Sequence, residues 1–394
     1  MTALIVYLAG VPWDGAVGTD RRLVLSLSAS VRVLWVDPPV SALSRPRGRL
    51  RGPGTARGAR IDTVAHRIER LRVTGPPLIT RVGVRAVTRA VLGRRIRAAA
   101  RARGGADVVV VANPLLRFPL LDGAQCVYYV TDDWPAGASL MGLSRPAITR
   151  LERANAKRAH VVAAVSPSLA DRLSREHGIP VSVLANGCTV VDATEAVELG
   201  LPDPVVGLAG QINERLDLEL LQAVADRGLS LALVGPRKER EPAFTRQLDE
   251  LLARPNVRWL GPRPSSSLPG LLARFRVGVT PYALSDFNKA SFPIKTLDYL
   301  AAGLPCVATP SPALDWLDTE LVSVADCPQT FADTVERWAH ADVEPDDVER
   351  RVAFARGHSW DARAAQLLAS VGLAAAPGSA DSTSVITTPS RGMS

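Results

Sequence analysis

Apolar runs of four to eight residues alternate along the chain with longer segments whose apolar positions recur every three or four residues. The runs are ALIVYLAG, VRVLWVDPP, ADVVVVANP, QCVYYVTDDW and HVVAAVS in the first half, and VVGLAGQ, LALVGP, VRWLG and VGVTPY in the second. Strands covered on both faces are apolar throughout, whereas the recurring pattern is typical of amphipathic helices. The alternation predicts an α/β protein with two Rossmann-like, doubly wound parallel sheets in tandem. Because such sheets bind ligands at the carboxyl ends of their strands, we expect the site in a cleft between the two halves.

The strand and helix pattern is interrupted once, near the middle of the chain. We expect a first domain over residues 1–188, a linker over 189–204 and a second domain over 205–358, where the pattern restarts. A final helix is predicted over 359–373. The remaining residues, 374–394, are rich in Ser, Thr, Ala, Pro and Gly and predict a disordered tail.

Composition is that of an ordinary globular protein, with 47% hydrophobic and 22% charged residues among 394. No apolar run is long enough to span a bilayer, and the opening MTALIVYLAGVPWDG lacks the positive start of a signal peptide. The four cysteines lack metal-ligand or redox spacing. We therefore expect reduced thiols and a cytoplasmic protein.

Positive charge is concentrated in the first half. Residues 1–180 contain 28 Lys and Arg against 12 Asp and Glu, and residues 45–103 contain 17 Arg against two acids. Such a segment favours a polyanionic partner. No nucleic-acid module is recognisable, so the sequence favours the anionic surface of a membrane, with binding on its inner face. The alternative is a solvated Arg-rich surface.

The segment SFPIKTLDYLAAGLPCVAT, residues 291–309, places an acid and a base inside a short apolar helix. Lys295 and Asp298 are three residues apart and share one face of that helix. Asp298 lies too far from the helix start to cap it and is surrounded by small apolar residues. Because a buried carboxylate is unstable without a compensating charge or hydrogen bond, we expect Asp298 to have a charged partner or a ligand.

Several motifs carry a resemblance to a known family. The sequence from VGLAG through LALVGP, NVRWLGP, LLARFRVGVTPY and SFPIKTLDYLAAGLPCVAT resembles the nucleotide-sugar-binding domain of GT-B glycosyltransferases, specifically glycosyltransferase family 4. SPSLADRL and LANG resemble the end of the family's first domain. FARGHSWDARAAQLL resembles its C-terminal helix, which crosses back to that domain, and YYVTDDW and GVPWDG resemble a bacterial cell-surface polysaccharide subgroup.

The resemblance implies a GT-B fold, with two Rossmann-like domains facing across a cleft. It also implies a glycosyltransferase of the hexosyltransferase class that retains anomeric configuration. Such an enzyme moves a sugar from a nucleoside-diphosphate sugar to a glycan or lipid-linked acceptor of the cell envelope.

The resemblance assigns the donor site to the second domain. The diphosphate is expected at the helix start, at the N–H groups of Phe292 and Ile294, where the helix dipole favours anions. Lys295 adds positive charge, and Asp298 would accept hydrogen bonds from the ribose hydroxyls. The alternative is that Lys295 and Asp298 form a plain ion pair.

Further donor residues are expected after the first two strands of the second domain. The family has basic residues there that neutralise the diphosphate, and this chain offers Arg215, Arg237 and Lys238. Arg215 is the better candidate, and it is also expected to act in catalysis. Gly210, at the end of the first of these strands, is included in the donor site. All three basic residues could equally be surface charges.

The first domain offers an acidic pair and a glycine-rich loop. Asp132 and Asp133 follow the strand VYYV, where they could orient the acceptor or accept its proton, although one of them could simply cap the turn. In the loop after the first strand, Gly10 would allow close approach of the sugar or diphosphate. Trp13 would stack on a sugar ring.

The chain departs from the family at one acidic position. Retaining members usually have Glu-x7-Glu, and the first Glu falls on Ala290, with Asp286 the nearest acid upstream. This departure keeps open a catalytically weak GT-B protein that binds nucleotide sugars or acts as a scaffold. A GT-B-shaped epimerase is less favoured, because its cleft acids and His are not found. The second domain has no Asp-x-Asp, so no obligatory metal or other cofactor is expected.

Overall fold

The computed structural model describes residues 2–15, 17–41, 60–75, 82–138, 144–190 and 197–373. The predicted tail, residues 191–196 of the predicted linker and about a third of the Arg-rich segment 45–103 lie outside these residues.

The first sheet is built from strands that are mostly apolar and buried. The strands of this half are β1 (Leu4–Leu8), β2 (Arg32–Val36), β3 (Val40–Ser41), β4 (Arg60–Ala65), β5 (Ile68–Arg72), β6 (Thr74–Gly75), β7 (Val108–Val111), β8 (Gln125–Val130), β9 (Val161–Ala164) and β10 (Ser182–Val183). The helices are α1 (Thr19–Leu27), α2 (Val82–Arg101), α3 (Arg145–Ala156) and α4 (Pro167–His177). Eight strands form one sheet in the order β10-β9-β8-β7-β1-β2-β5-β4, and β3 pairs with β6. All pairs in the large sheet are parallel except β4 with β5.

The second sheet is parallel throughout. Its strands are β11 (Val205–Ala209), β12 (Ser230–Val234), β13 (Val257–Trp259), β14 (Val277–Thr280), β15 (Cys306–Ala308) and β16 (Val322–Val324). The helices of this half are α5 (Leu218–Asp226), α6 (Pro242–Leu252), α7 (Leu268–Leu272), α8 (Asp286–Ala290), α9 (Ile294–Ala301), α10 (Pro312–Leu317), α11 (Pro328–His340), α12 (Pro345–Gly357) and α13 (Trp360–Ser370), with a 3-10 turn at Ser265–Ser267. The strand order β13-β12-β11-β14-β15-β16 is that of a Rossmann sheet. The prediction of two doubly wound α/β sheets is confirmed.

Local chemistry explains the elements that border the cleft. β7 is four consecutive valines, all buried, as expected for a central parallel strand. α4 begins at Pro167, whose missing N–H costs nothing in the first turn, and Ser166 caps it by accepting from the Leu169 N–H. The helix ends where Gly178 takes a left-handed conformation with φ of 66°.

The last described helix, α13, and the residues just before it lie against the first domain. The Cys188 N–H donates to the His358 carbonyl at 3.0 Å, and the Trp360 N–H donates to the Cys188 carbonyl at 3.1 Å. A Cβ on Gly187 would lie 2.8 Å from the Trp360 nitrogen, so the two segments can cross this closely only with glycine there. After the chain crosses the segment around Cys188, it continues as α13, which packs against α1 of the first domain. The exact domain boundaries stay predictions.

Candidate active site

The start of α9 forms the floor of the cleft in the second domain. α9 begins at Ile294 after Pro293, without a side-chain cap. The Ile294 N–H folds back and donates to the Phe292 carbonyl at 3.0 Å, so the prediction that it is free for an anion is wrong. Among the described residues no acceptor pairs with the Phe292 N–H. The Phe292 ring is buried against Trp316, with ring centres 6.1 Å apart.

Asp298 joins the two domains. Its carboxylate is only 6% exposed, and each oxygen accepts from a cation at 3.0 Å: Oδ1 from Arg22 Nη1 and Oδ2 from Lys295 Nζ. The pair with Lys295 is the alternative that the sequence analysis left open beside ribose binding. Arg22 comes from α1 in the first domain, so the buried charge is neutralised across the cleft.

Arg215 lies in the same cleft, held by its neighbours. Its Nε donates to Asn288 Oδ1 at 2.8 Å, and the Asn288 amide donates back to the Arg215 carbonyl at 2.9 Å. The guanidinium carbon lies 5.3 Å from the centre of the Tyr282 ring and 5.1 Å from that of Phe287. Within the described part of the chain no carboxylate forms an ion pair with Arg215. Its charge is therefore available to a ligand.

Two carboxylates of the first domain have raised pKa values. Burial raises the pKa of Asp132 to about 6; the nearby Arg215 charge opposes this shift, and the charges of Asp20 and Asp133 add to it. Burial likewise raises the pKa of Asp20 to about 6, against the hydrogen bonds from the Gly10 N–H and the Tyr7 hydroxyl, both at 2.8 Å. Asp132 and Arg215 thus influence each other across the cleft. Carboxylates of this kind can accept a proton near neutral pH.

Contacts from the first domain hold the segment from α8 to α9. Ser166 Oγ donates to the Ala290 carbonyl at 2.6 Å, and Ser168 Oγ donates to the Lys289 carbonyl at 3.1 Å. The Asn186 amide, from the LANG motif, lies 3.5 Å from the Phe292 carbonyl. A cavity of about 20 Å³, room for about one water molecule, remains within the second domain between Arg215 and the start of α9. The contacts of Arg22, Ser166 and Asn186 with the α8–α9 segment and α9 bring the two domains together, so the cleft is closed there.

Residues 203–340 match the family model for glycosyl transferases group 1. The matched stretch runs from β11 to the end of α11 in the second domain. A curated protein of Bacillus subtilis (strain 168), "Putative teichuronic acid biosynthesis glycosyltransferase TuaH", is 28% identical over 174 residues, which are 43% of this chain and 43% of that protein. The match thus spans less than half of the relative.

Solved structures share the arrangement of both domains. Sucrose-phosphate synthase from Thermosynechococcus elongatus superposes with a TM-score of 0.66 and 17% identity, over 93% of this chain and 97% of that one. Anabaena Alr3699/HepE, solved in complex with UDP and glucose, gives 0.65 and 14%, over 93% and 99%. The UDP-forming trehalose-phosphate synthase from Burkholderia xenovorans gives 0.64 and 14%, over 94% and 99%. The GT-B fold is confirmed, and with it the resemblance to GT-B glycosyltransferases of the bacterial polysaccharide type.

Gly210 and Lys238 follow the first two strands of the second domain, and no hydrogen bond between described residues links either of them to Asp298. Gly210 follows β11, and its N–H donates to the Val234 carbonyl at 2.8 Å. Lys238 is exposed, and no contact between described residues brings its side chain to Arg215 or Asp298. The neighbouring Arg237 forms ion pairs with Glu239 and Asp249. The donor roles of Gly210 and Lys238 stay predictions.

Asp133 caps the turn, as the alternative in the sequence analysis allowed, and its catalytic role stays a prediction without support from its contacts. Its Oδ1 accepts from the Ala136 N–H at 3.0 Å, and its Oδ2 pairs with Arg172 at 3.2 Å. Arg172 also pairs with the buried Glu152. Because both oxygens of Asp133 are engaged inside the first domain, only Asp132 of the acidic pair faces the cleft.

The contacts of Trp13 do not support the predicted stacking on a sugar ring, which stays a prediction. The Trp13 ring is 6% exposed, makes an edge contact with Trp35 and carries the Arg21 guanidinium 4.6 Å from its centre. Its environment is the core of the first domain, so no ring face is open to a sugar. Gly10 has a different neighbour from the one expected: a Cβ there would lie 3.3 Å from Asp20 Oδ2. The absence of a side chain at Gly10 allows the Asp20 carboxylate to approach the backbone. The role of Gly10 in donor binding stays a prediction.

Sequence reasoning missed three residues of the site: Asp20, Arg22 and Asn288. Asp20 belongs to the segment TDRR at the start of α1, which directly follows the glycine-rich loop. Because this loop was already predicted to border the cleft, the acid next to it could have been included in the site. Arg22 is separated from Asp298 by 276 positions, and no local pattern connects them.

One trio among the described residues could in principle hold a metal ion: Glu152, Glu176 and His177. It lies in the first domain, where Arg172 forms ion pairs with both glutamates. The arginine therefore supplies the positive charge that a metal would bring.

Proposed function

We propose that the protein is a glycosyltransferase that moves a sugar from a nucleoside-diphosphate sugar to a cell-envelope or polysaccharide acceptor. The observation that carries this proposal is the convergence of Asp298 and Arg215, in the stretch that matches group 1 glycosyl transferases, on a cleft that Asp132 faces from the other side. The Bacillus relative, a putative teichuronic acid biosynthesis glycosyltransferase, supports a polysaccharide pathway. The UDP and glucose in the Anabaena structure support a nucleotide-sugar donor.

Donor binding is assigned to the second domain. The Arg215 guanidinium and Lys295 would neutralise the diphosphate, and the Phe292 N–H would donate to it. Asp298 would accept hydrogen bonds from the ribose hydroxyls, because a carboxylate retains lone pairs beyond the two used by Arg22 and Lys295. At 6% exposure Asp298 is reachable only when the domains separate.

Transfer would take place between Arg215 and Asp132. The acceptor oxygen forms a bond to the anomeric carbon as the bond from that carbon to the diphosphate breaks. The electron pair goes to the leaving diphosphate, whose growing charge Arg215 stabilises. Asp132 orients the acceptor hydroxyl and takes its proton. Retention of configuration, which is proposed on the family resemblance, requires the acceptor oxygen to approach the anomeric carbon from the same face that the diphosphate leaves, with Asp132 beside that face. Metal is not required, because the cations and helix dipole supply the positive charge.

The acceptor is proposed to be lipid-linked and presented at the inner face of the membrane. No described helix is long and apolar enough to cross a bilayer. α2 carries six arginines and no acid, and Arg94 and Arg95 are exposed. A basic surface on the acceptor-side domain would hold the enzyme where a lipid-linked acceptor is found.

A nucleotide-sugar-binding protein without turnover is the second candidate. The observation that favours it is Ala290, which is buried and brings no carboxylate to the position where retaining relatives have the first Glu. Asp286 is exposed on α8.

Turnover separates the two candidates. Purified protein is first screened with UDP-glucose, UDP-N-acetylglucosamine and GDP-mannose by thermal shift, since a ligand at 100 times its dissociation constant adds about 2.7 kcal/mol to stability. Nucleoside diphosphate release is then measured with a bacterial lipid extract as acceptor. Arg215→Gln should abolish release, whereas Arg237→Gln, a matched change at a surface ion pair, should not. A donor that binds but is never turned over would decide for the binding protein.

A further inference from the structure

A second cavity, of about 250 Å³, lies in the first domain between α2 and the segment 116–120. Its floor is apolar: Leu92, Ile96 and Phe118 are each 5% exposed or less. At its mouth Leu120 is 60% exposed. A concave apolar surface with an exposed aliphatic side chain at its opening suits a hydrocarbon ligand. We call this cavity the α2 groove.

Arginines surround the α2 groove. Arg89, Arg94, Arg97 and Arg117 line it, and no acidic residue does. Arg94 and Arg117 are exposed, while Arg97 Nε donates to the Leu120 carbonyl at 3.2 Å and ties the segment 116–120 to α2. The groove therefore combines an apolar interior with a positively charged rim.

The position of the α2 groove connects it to the cleft. Leu8, the last residue of β1, lines it, and Gly10 two residues later donates to Asp20. β7, which lies between β1 and β8 in the sheet, leads directly into the segment that forms the other wall. Asp132 follows β8. The groove thus reaches the same sheet edge as the carboxylate that is proposed to orient the acceptor.

We propose that the α2 groove binds the hydrocarbon chain of a lipid phosphate acceptor, with the phosphate against Arg94 and Arg117. This inference rests on the proposed transferase function and names its acceptor class. A polysaccharide is disfavoured because the floor offers apolar side chains and few hydrogen-bonding groups. A flat membrane surface would use the exposed Arg95 and Val87 on α2 equally, although neither lines the groove.

The test is a calorimetric titration of the full-length protein with farnesyl phosphate, kept below the concentration at which farnesyl phosphate forms micelles. Binding should be saturable, and weaker for farnesol or inorganic phosphate alone, since chain and head contact different parts of the groove. Arg94→Gln combined with Arg117→Gln should weaken it by about tenfold or more, the usual effect of losing charge-assisted hydrogen bonds. Leu120→Ser should also weaken it.

Matched controls separate the groove from general attraction to the surface. Arg95→Gln removes the same charge one residue from Arg94, and Val87→Ser removes another exposed aliphatic from α2; both should bind like the wild type. Equal losses in Arg94→Gln and Arg95→Gln, or no saturable binding at all, would overturn the α2 groove as a site. UDP binding measured on the same samples keeps the two proposals apart. Retained UDP binding without farnesyl phosphate binding would leave the transferase standing, and the reverse pattern would support the groove and count against the transferase.

Discussion

Replacing Arg22 with Gln tests how the closed cleft controls the donor site. In the closed protein Arg22 Nη1 lies 3.0 Å from Asp298 Oδ1 and comes from the opposite domain. If Asp298 binds the donor ribose, Arg22 must move away before the ribose can enter. Removing the guanidinium therefore removes a competitor, and we expect Arg22→Gln to bind UDP more tightly than the wild type.

The magnitude follows from the burial of the pair. Arg22 and Asp298 are 15% and 6% exposed, so water screens their contact only weakly. A hydrogen bond to a charged group contributes roughly 1.5–3 kcal/mol, and each 1.4 kcal/mol changes a dissociation constant about tenfold. Complete exchange of this contact for the ribose predicts a tightening of about 10- to 150-fold. Asp298 keeps Lys295 as a partner, so the carboxylate is not left alone in the variant.

Calorimetry with UDP, and with GDP in parallel, measures the affinity, and thermal unfolding provides a second readout. Without nucleotide, Arg22→Gln should unfold at a lower temperature than the wild type, and the difference should shrink at saturating nucleotide. Arg21→Gln is the matched control, because Arg21 carries the same charge on α1 but contacts the Trp13 ring and carbonyl. Weaker nucleotide binding in Arg22→Gln would refute the competition and make Arg22 a donor ligand.

Four further predictions concern the same chemistry and its setting. In the Arg22→Gln background, where the closing ionic contact is already lost, Asp298→Asn should weaken UDP binding by roughly 1.5–3 kcal/mol, and unchanged affinity by calorimetry would leave Asp298 a structural partner of Lys295. Because burial raises the pKa of Asp132 to about 6, the residue is protonated below that pH, so kcat/KM should fall as pH is lowered through about 6. A profile that is flat from pH 5 to 7 would exclude Asp132 as the base. Transfer should survive EDTA; complete loss that Mn²⁺ or Mg²⁺ restores would contradict metal independence. Co-sedimentation with vesicles should require anionic lipid and weaken with salt and in the Arg94→Gln, Arg95→Gln double variant, whereas equal binding to neutral vesicles would contradict the membrane proposal.

The fold was predictable because its signals are local. Runs such as the four valines of β7 cannot be exposed on either face, and their alternation with amphipathic segments leaves a parallel sheet as the main solution. The pairing of Lys295 with Asp298 was predictable for the same reason, since helix geometry alone brings residues three apart together.

The predicted roles that the structure does not support involve residues whose contacts come from distant parts of the chain or from the backbone geometry. No local sequence pattern reveals such contacts. The sequence does not distinguish Asp132 from Asp133. Only the ion pair with Arg172 of α4 shows that Asp133 is engaged inside the first domain, away from the cleft. Trp13 belongs to a glycine-rich loop, but Trp35 of β2 and the adjacent α1 bury its ring. The turn at Pro293 brings the Ile294 N–H back onto a carbonyl, a detail that depends on backbone angles and not on residue type.

The contacts that close the cleft also explain why access to the donor site should depend on domain opening. Arg22, Ser166 and Asn186 come from α1, the start of α4 and the segment after β10, yet all three contact the short segment between Ala290 and Asp298. The carboxyl ends of parallel strands share one sheet edge, so these elements converge there. Neutral hydrogen bonds contribute roughly 0.5–1.5 kcal/mol each and the ionic one roughly 1.5–3, so together they favour closure by a few kcal/mol. A nucleotide that binds only the open form then has its apparent affinity reduced by the fraction of open protein. Weakening any of these contacts should raise that fraction, and Arg22 is the residue whose loss should raise it most, because it forms the ionic contact.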